Sequence, residues 1–282
     1  MQLSRVGVWC GQVRGKEMGE VGEIAAQAEE LGYGAFWIPG GVGGDALDRC
    51  AAVLAATTSL VAATGILNVW RYDPVDVAAQ TASLGDESGG RFLLGLGVNH
   101  DRRIDAEYVK PLAKVRSYLD ELDAAGQSPE TRVLAALRPR MLELAATRAG
   151  GAHPYFVPPE HTARARATLG PDSLLAPEQA VLLESDPATA REIARKFCSL
   201  YVQLPNYTNN LRELGYSDAD FEGQGSDRLI DAIVAWGTPE QIATRVRAHH
   251  DAGADHVCIQ VLGADGNTVP VDGWRTLAPA LL

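Results

Sequence analysis

The sequence predicts an α/β protein built as a closed (β/α)8 barrel. Short apolar runs rich in valine and leucine alternate with longer stretches of helical periodicity along the 282 residues, the pattern of a buried parallel sheet covered by helices. Eight such units fit, at about 35 residues each, near the size of an eight-stranded barrel. The alternative, an open doubly wound sheet, lacks its signature. No Gly-x-Gly-x-x-Gly follows the first strand, and Gly95-Leu96-Gly97 has no third glycine at the required spacing.

The elements follow in order. Residues 5–9 form the first strand, and Met18, Val21, Ile24, Ala25, Ala28 and Leu31 recur at helical spacing until Gly32 stops the helix. Residues 35–38 are the second strand, closed by Pro39-Gly40-Gly41, and an alanine- and leucine-rich helix covers about 46–56. Residues 60–67 read as the third strand. Asp73-Pro74 then starts a helix, Asp as cap and Pro where its missing N–H costs nothing. Ser88-Gly89-Gly90 turns into the fourth strand, Phe92 to Gly97. Leu112, Val115, Leu119 and Leu122 mark helix four; residues 133–137 are strand five, and Pro139 opens helix five. Residues 152–157 are strand six, followed by a helix from Pro158-Pro159 to near Gly170; residues 180–183 anchor strand seven, and Asp186-Pro187 repeats the Asp-Pro start. Residues 204–225 are irregular and polar and read as an insertion with room for short helices; with a further helix at 228–236 it extends over about 204–236. Thr238-Pro239-Glu240-Gln241 has capping-box form, its helix ends at Gly253, residues 256–262 are strand eight, and 272–282 form a closing helix. The whole, 1–282, reads as one domain.

Composition narrows the class. No 18-residue apolar run is present, so no membrane span is expected, and the start of the chain lacks a secretion-signal pattern. Cys10, Cys50, Cys198 and Cys258 are scattered and form no Cys-x-x-Cys, which reads as reduced thiols in a cytoplasmic protein without a metal site. A net charge of −11 without a basic run argues against nucleic acid or an anionic membrane as partner.

In a barrel the ligand site lies at the carboxyl ends of the strands. Gly95 and Gly97 permit close backbone approach there, and the polar pair Asn99-His100 follows. His100 is the candidate proton donor or ligand contact, with His153 as the second histidine of interest. Arg71, Arg102, Arg103, Arg138 and Arg140 also fall at strand ends, suggesting an anionic ligand, and Trp9 and Trp70 are positioned to wall a planar ring. His161 is expected to be exposed and His256 to lie at the opposite end of the barrel. No nucleophile elbow, phosphate loop or clustered metal ligands occur.

Four stretches carry a family resemblance: Glu29-Glu30-Leu31-Gly32-Tyr33-Gly34-Ala35-Phe36-Trp37; Ala63-Thr64-Gly65-Ile66-Leu67-Asn68; Arg71-Tyr72-Asp73-Pro74 through Ser88-Gly89-Gly90-Arg91-Phe92 to Gly95-Leu96-Gly97; and Gly237-Thr238-Pro239-Glu240-Gln241 with Ala252-Gly253-Ala254-Asp255-His256-Val257. Together with Arg148-Ala149-Gly150-Gly151-Ala152-His153 they resemble the bacterial luciferase-like monooxygenase superfamily, and within it the oxidoreductases that use coenzyme F420, a 5-deazaflavin. The resemblance implies a luciferase-like barrel with a late insertion, a dimer, and a ring bound over strands three and four. It implies a cis peptide at Gly65-Ile66, and Val98-Asn99 lining the same ring, with Asn68 and Gly97 in the cofactor-binding set. Ala152-His153-Pro154 would meet the phosphate side through backbone N–H groups, and Arg138 would intrude on the cofactor space or bind its phosphate. The chain departs from the pattern at Pro39-Gly40-Gly41, where many deazaflavin enzymes carry an Asp-His type pair. The implied activity is hydride transfer between coenzyme F420 and a small organic substrate. The alternatives are an FMN-dependent monooxygenase and a cofactor-free binding barrel.

Overall fold

A computed structural model describes residues 3–40, 44–99, 110–263 and 266–282. The elements are β1 (Val6–Trp9), α1 (Met18–Glu30), β2 (Ala35–Ile38), α2 (Ala46–Ala56), β3 (Val61–Thr64), β4 (Leu67–Asn68), α3 (Pro74–Glu87), β5 (Phe92–Gly97), α4 (Pro111–Ala124), β6 (Arg132–Leu134), α5 (Pro139–Arg148), β7 (Gly151–Ala152), α6 (Pro159–Leu169), β8 (Leu174–Leu175), β9 (Glu178–Leu182), α7 (Pro187–Cys198), α8 (Pro205–Glu213), α9 (Asp227–Ile233), β10 (Val234–Trp236), α10 (Pro239–Asp251), β11 (Val257–Val261) and α11 (Val271–Leu281). Helix starts follow the sequence signals. Asp73 accepts from the N–H groups of Val75 and Asp76, Asp186 accepts from Thr189, and Thr238 and Gln241 form the capping box of α10. Among the described residues no helix is long and apolar enough to cross a membrane.

Among the described residues every strand pairing is parallel, in the order β10-β9-β11-β1-β2-β3-β5-β6-β7-β8, with β4 also on β5. The expected closed ring is therefore not carried by strand ladders, because the path has two ends. Single backbone bonds flank the two residues between β8 and β9: Ala176 N–H donates to Ala152 O at 2.9 Å, Glu178 N–H to Pro154 O at 2.9 Å, and Cys258 N–H to Pro177 O at 3.1 Å.

Side chains alternate across the sheet, as its pleat requires. Trp9, Ala35, Trp37, Val61, Ala63, Leu93, Val133, Ala176 and Cys258 pack together on one face. Phe36, Ile38, Ala62, Leu94, Leu134, Val257 and Ile259 join the helices in the main core on the other. Trp274 of α11 closes that outer layer, edge-on to Phe36, with its carbonyl accepting from the Tyr33 hydroxyl at 2.9 Å.

Three expectations change. The third strand breaks at Gly65-Ile66, whose peptide bond is cis as the resemblance implies, and its continuation β4 pairs with β5. The sixth strand is only β7, since Pro154 has no N–H to extend the ladder. The helix expected at 228–236 is α9 followed by a strand, β10, in register with β9. Within the expected insertion, α8 and a 3-10 turn at Asp218–Phe221 supply the regular structure, the latter with its own capping box from Ser217 and Asp220.

Glu29 ties α1 to the start of β3. Its carboxylate accepts the backbone N–H groups of Thr58, Ser59 and Leu60 and the Ser59 hydroxyl. Burial raises its pKa, but the bonds from Ser59, Thr58 and Leu60 outweigh burial and hold it at about 2. A carboxyl with a lowered folded pKa stabilises the fold above its unfolded pKa, and that contribution is lost as pH falls toward 2. Glu29→Gln should therefore cost roughly 1–3 kcal/mol at pH 7. In urea unfolding the deficit should shrink between pH 5 and pH 3; a deficit independent of pH would contradict this account.

Candidate active site

The strand ends converge on a cavity of about 520 Å³, within the range of small-molecule sites. Its wall takes Trp9 from β1, Pro39 after β2, Gly65 and Ile66 after β3, and Val98 and Asn99 after β5. Residues 135–137 after β6, His153 and Tyr155 after β7, and Gln260 of β11 continue it. Phe197, Tyr201 and Tyr207, from α7, the turn after it and α8, supply the remaining aromatic side.

The floor is fixed by a column of rings. Trp37 stacks on His153 with centroids 4.1 Å apart, and its indole N–H donates to His256 Nε2 at 3.1 Å. His153 Nδ1 donates to Ala176 O at 2.7 Å, and His256 Nδ1 donates to Ser4 O. Each histidine is thus the neutral Nδ1–H tautomer. Burial outweighs the backbone bond in both and lowers each pKa to about 4. His153 Nε2 is left without a hydrogen-bond partner.

The wall beside β5 depends on glycine. A Cβ at Gly97 would stand 2.7 Å from Ile66 Cδ1 and 2.9 Å from Ala135 Cβ, so the missing side chain is what lets Ile66 cross the strand. At Gly95 a Cβ would meet Thr64 O at 1.9 Å; Thr64 Oγ1 instead exchanges hydrogen bonds with the Gly95 N–H and carbonyl.

Of the residues singled out from sequence, Gly65, Ile66, Val98, Asn99 and His153 come together on this cavity. Others do not line it. Asn68 is buried below, its Oδ1 accepting from Trp70 N–H at 3.0 Å, and Gly97 acts through Ile66. Ala152 is buried in β7 and Pro154 is buried just after it. In that segment His153 N–H donates to Leu134 O at 2.9 Å and Pro154 has no N–H. Arg138 points away, 54% exposed and paired with Glu213 at 2.7 Å, because α8 brings that carboxylate alongside. The described members of the expected arginine cluster do not gather at the cavity: Arg71 lies in a separate groove with Asp73 and Asp76, and Arg140 is exposed. His161 is fully buried, its Nε2 donating to Leu137 O, which corrects the expectation of exposure. His100, Gly41, Arg102 and Arg103 lie outside the described residues.

Sequence reading missed the second wall. Its signals were Phe197 and Tyr201 at helical i, i+4 spacing, and Gln260 as the one polar residue of an apolar strand. It also missed Glu178, which faces Cys258 across β9 and β11 and is 1% exposed. One carboxyl oxygen accepts from Phe156 N–H at 3.3 Å and the other has no partner. Burial raises its pKa to about 8 against the lowering effect of that single bond.

Comparison with known proteins fixes the family. The model of the luciferase-like monooxygenase family matches residues 3–256. The chain belongs to the luciferase-like monooxygenase family. One relative is a Mycobacterium tuberculosis protein provisionally named a coenzyme F420-dependent oxidoreductase, 30% identical over 102 residues; the match spans 35% of this chain and only 29% of that relative's length. Among solved structures, an F420-dependent secondary alcohol dehydrogenase in complex with an F420-acetone adduct superposes with TM-score 0.76 at 15% identity, covering 100% of both chains. The oxygenating constituent of 3,6-diketocamphane monooxygenase from Pseudomonas putida, in complex with FMN, gives 0.72 at 13% identity, covering 100% of this chain and 99% of its own. These likenesses establish a luciferase-like fold, shared by enzymes of both cofactor types.

Glu178 provides a test of the interior. A carboxyl with a raised folded pKa contributes stability below its unfolded pKa of about 4.5 that is lost as pH rises toward about 8. Glu178→Gln keeps an acceptor for Phe156 and removes the titrating proton. The variant should gain on the wild type between pH 5 and pH 8, by at most about 1.4 kcal/mol per pH unit. Urea unfolding at the two pH values measures it, and an equal difference at both would refute the assignment.

Proposed function

We propose that this family member is an oxidoreductase that transfers hydride between coenzyme F420 and a small organic substrate in the cavity. One observation carries the reading: Gly65-Ile66 and Val98-Asn99 stand together on one wall of a cavity of ligand size, where the resemblance expects the ring. The residues fit such a group. Ile66, Val98 and residues 135–137 make an apolar slot for a planar ring, and Asn99 and the unpartnered His153 Nε2 offer polar atoms at its edge. When bound, a deazaflavin supplies hydride chemistry at its ring carbon five. The chain's part is to hold, orient and exclude water.

Neutral His153 keeps a positive charge away from the floor at physiological pH. Arg14 and Lys196 are the cations of the described lining, and we assign to them the anionic tail first assigned to Arg138. Among the described residues the Lys196 ammonium pairs with Glu192 in an exposed, weak contact that a phosphate displaces readily. His100, which follows Asn99 in the chain, is retained as the candidate proton donor. The fold is read as a closed barrel of one domain, a reading supported by the backbone bonds between β7, residues 176–178 and β11. Four buried free thiols favour a reducing, cytoplasmic setting, and a homodimer is carried over from the resemblance.

A second reading, an FMN-dependent monooxygenase, is favoured by the likeness to the FMN-bound oxygenating constituent of 3,6-diketocamphane monooxygenase. Fluorescence titration of the purified protein with coenzyme F420 and, separately, FMN distinguishes the two. Binding of F420 at least tenfold tighter is expected, and preference for FMN selects the second reading. Binding of neither leaves a ligand-binding barrel and ends the enzyme reading.

A further inference from the structure

Two buried nitrogens converge beside Gly65 without protein partners. Trp9 is 8% exposed and His153 1%, and both line the cavity with Gly65. Among the described residues neither Trp9 Nε1 nor His153 Nε2 has a hydrogen bond. A Cβ at Gly65 would stand 2.6 Å from Trp9 Nε1 and 3.2 Å from His153 Nε2, so glycine keeps a side chain of the protein from coming between them. Two nitrogens so close to a common point are near enough for one oxygen to bridge them at ordinary hydrogen-bond lengths, about 2.9 Å each. A buried polar group left unpaired costs roughly 1–3 kcal/mol. The indole N–H of Trp274 is also unpartnered, but Trp274 packs in the outer core and does not line the cavity.

The two nitrogens are opposite in kind. An indole N–H only donates. His153 Nδ1 gives its proton to Ala176 O at 2.7 Å, so Nε2 presents a lone pair and only accepts. Burial keeps this imidazole neutral at physiological pH, which preserves that lone pair.

This pairing selects a chemical group. A ketone or a carboxylate brings only lone pairs, which oppose that of Nε2. An ammonium brings only protons, which oppose the indole N–H. A hydroxyl satisfies both nitrogens from one atom, its oxygen accepting from Trp9 and its proton going to His153. Nε2 serves one donor at a time, and a hydroxyl takes it in preference to the ring edge because the Trp9 donor is then used as well. Ile66 and the ring of Tyr155, 5.6 Å from that of Trp9, give the adjoining cavity an apolar lining.

We propose that Trp9 and His153 together bind the hydroxyl group of a small neutral alcohol. That this alcohol is the substrate rests on the oxidoreductase reading; the binding does not.

The test uses the full chain labelled with 15N at tryptophan and histidine and titrated at pH 7 with cyclohexanol, cyclohexanone, uracil and toluene. Toluene is an apolar control of similar size. Uracil presents donor and acceptor on neighbouring atoms, as the edge of a flavin-type ring does. W9F and H153Q assign the two nitrogen signals. Cyclohexanol should shift both and bind at least roughly threefold more tightly than cyclohexanone. W9F removes no hydrogen bond of the protein; it should weaken cyclohexanol roughly three- to tenfold and toluene not at all. If W9F does not fold, 3-benzothienylalanine at position 9 replaces the N–H by sulfur in nearly the same shape and makes the same comparison. The proposal is overturned if cyclohexanol leaves either signal in place, if the ketone binds as tightly, or if loss of the indole N–H leaves alcohol affinity unchanged or weakens toluene equally. Uracil shifting both signals at tighter affinity than cyclohexanol overturns it in favour of the ring edge. Binding of F420 without binding of the alcohol overturns this inference alone, and alcohol binding in a protein that takes neither F420 nor FMN overturns the oxidoreductase reading alone.

Discussion

The rest of the site depends on the stack of Trp37 on His153, locked from behind by His256. The concave face of a curved parallel sheet must be filled with side chains. Here Ala35, Ala63 and Ala176 leave room that one indole and two imidazoles occupy. Because the backbone oxygens of Ala176 and Ser4 take the Nδ1 protons, both imidazoles are fixed in tautomer and in rotation. The floor of the cavity is therefore rigid and uncharged. The first strand, the second, and the segments before β9 and β11 are registered to one another by side chains as well as by the sheet.

Much of this was legible in the sequence. Helix starts were, because capping is local: Asp73, Asp186 and Thr238 act on backbone groups two or three residues away. The buried strands were, because burial on both faces forces continuous apolar runs. What failed was decided by distant partners. Residues 234–236 continue a helical pattern and become strand because β9 has an open edge beside them. Arg138 lies at a strand end, as read, yet Glu213, 75 positions further along, turns it outward. His161 looks like a surface histidine at a helix start until Leu137 O, 24 positions earlier, is seen to take its ring N–H.

The site was legible in halves. The half beside β3 and β5 has short-range signatures, since Gly95 and Gly97 are needed wherever Thr64 and Ile66 press on the strand. The other half is aromatic and comes from residues whose composition suits any apolar cluster. Phe156, Phe197, Tyr201 and Tyr207 do form one, with ring centroids 4.7 to 6.1 Å apart. Only their placement at the cavity separates the wall of a site from ordinary packing.

That asymmetry has an evolutionary consequence. The rings of Phe197, Tyr201 and Tyr207 belong to one covalent run that packs on its own small core with α9 and β10, apart from the ring column of the interior. Substitutions along that run change the shape and polarity of the cavity without disturbing the register of β1, β2 and β3. Selection can thus retune which molecules enter while the scaffold that holds the opposite wall is inherited unchanged.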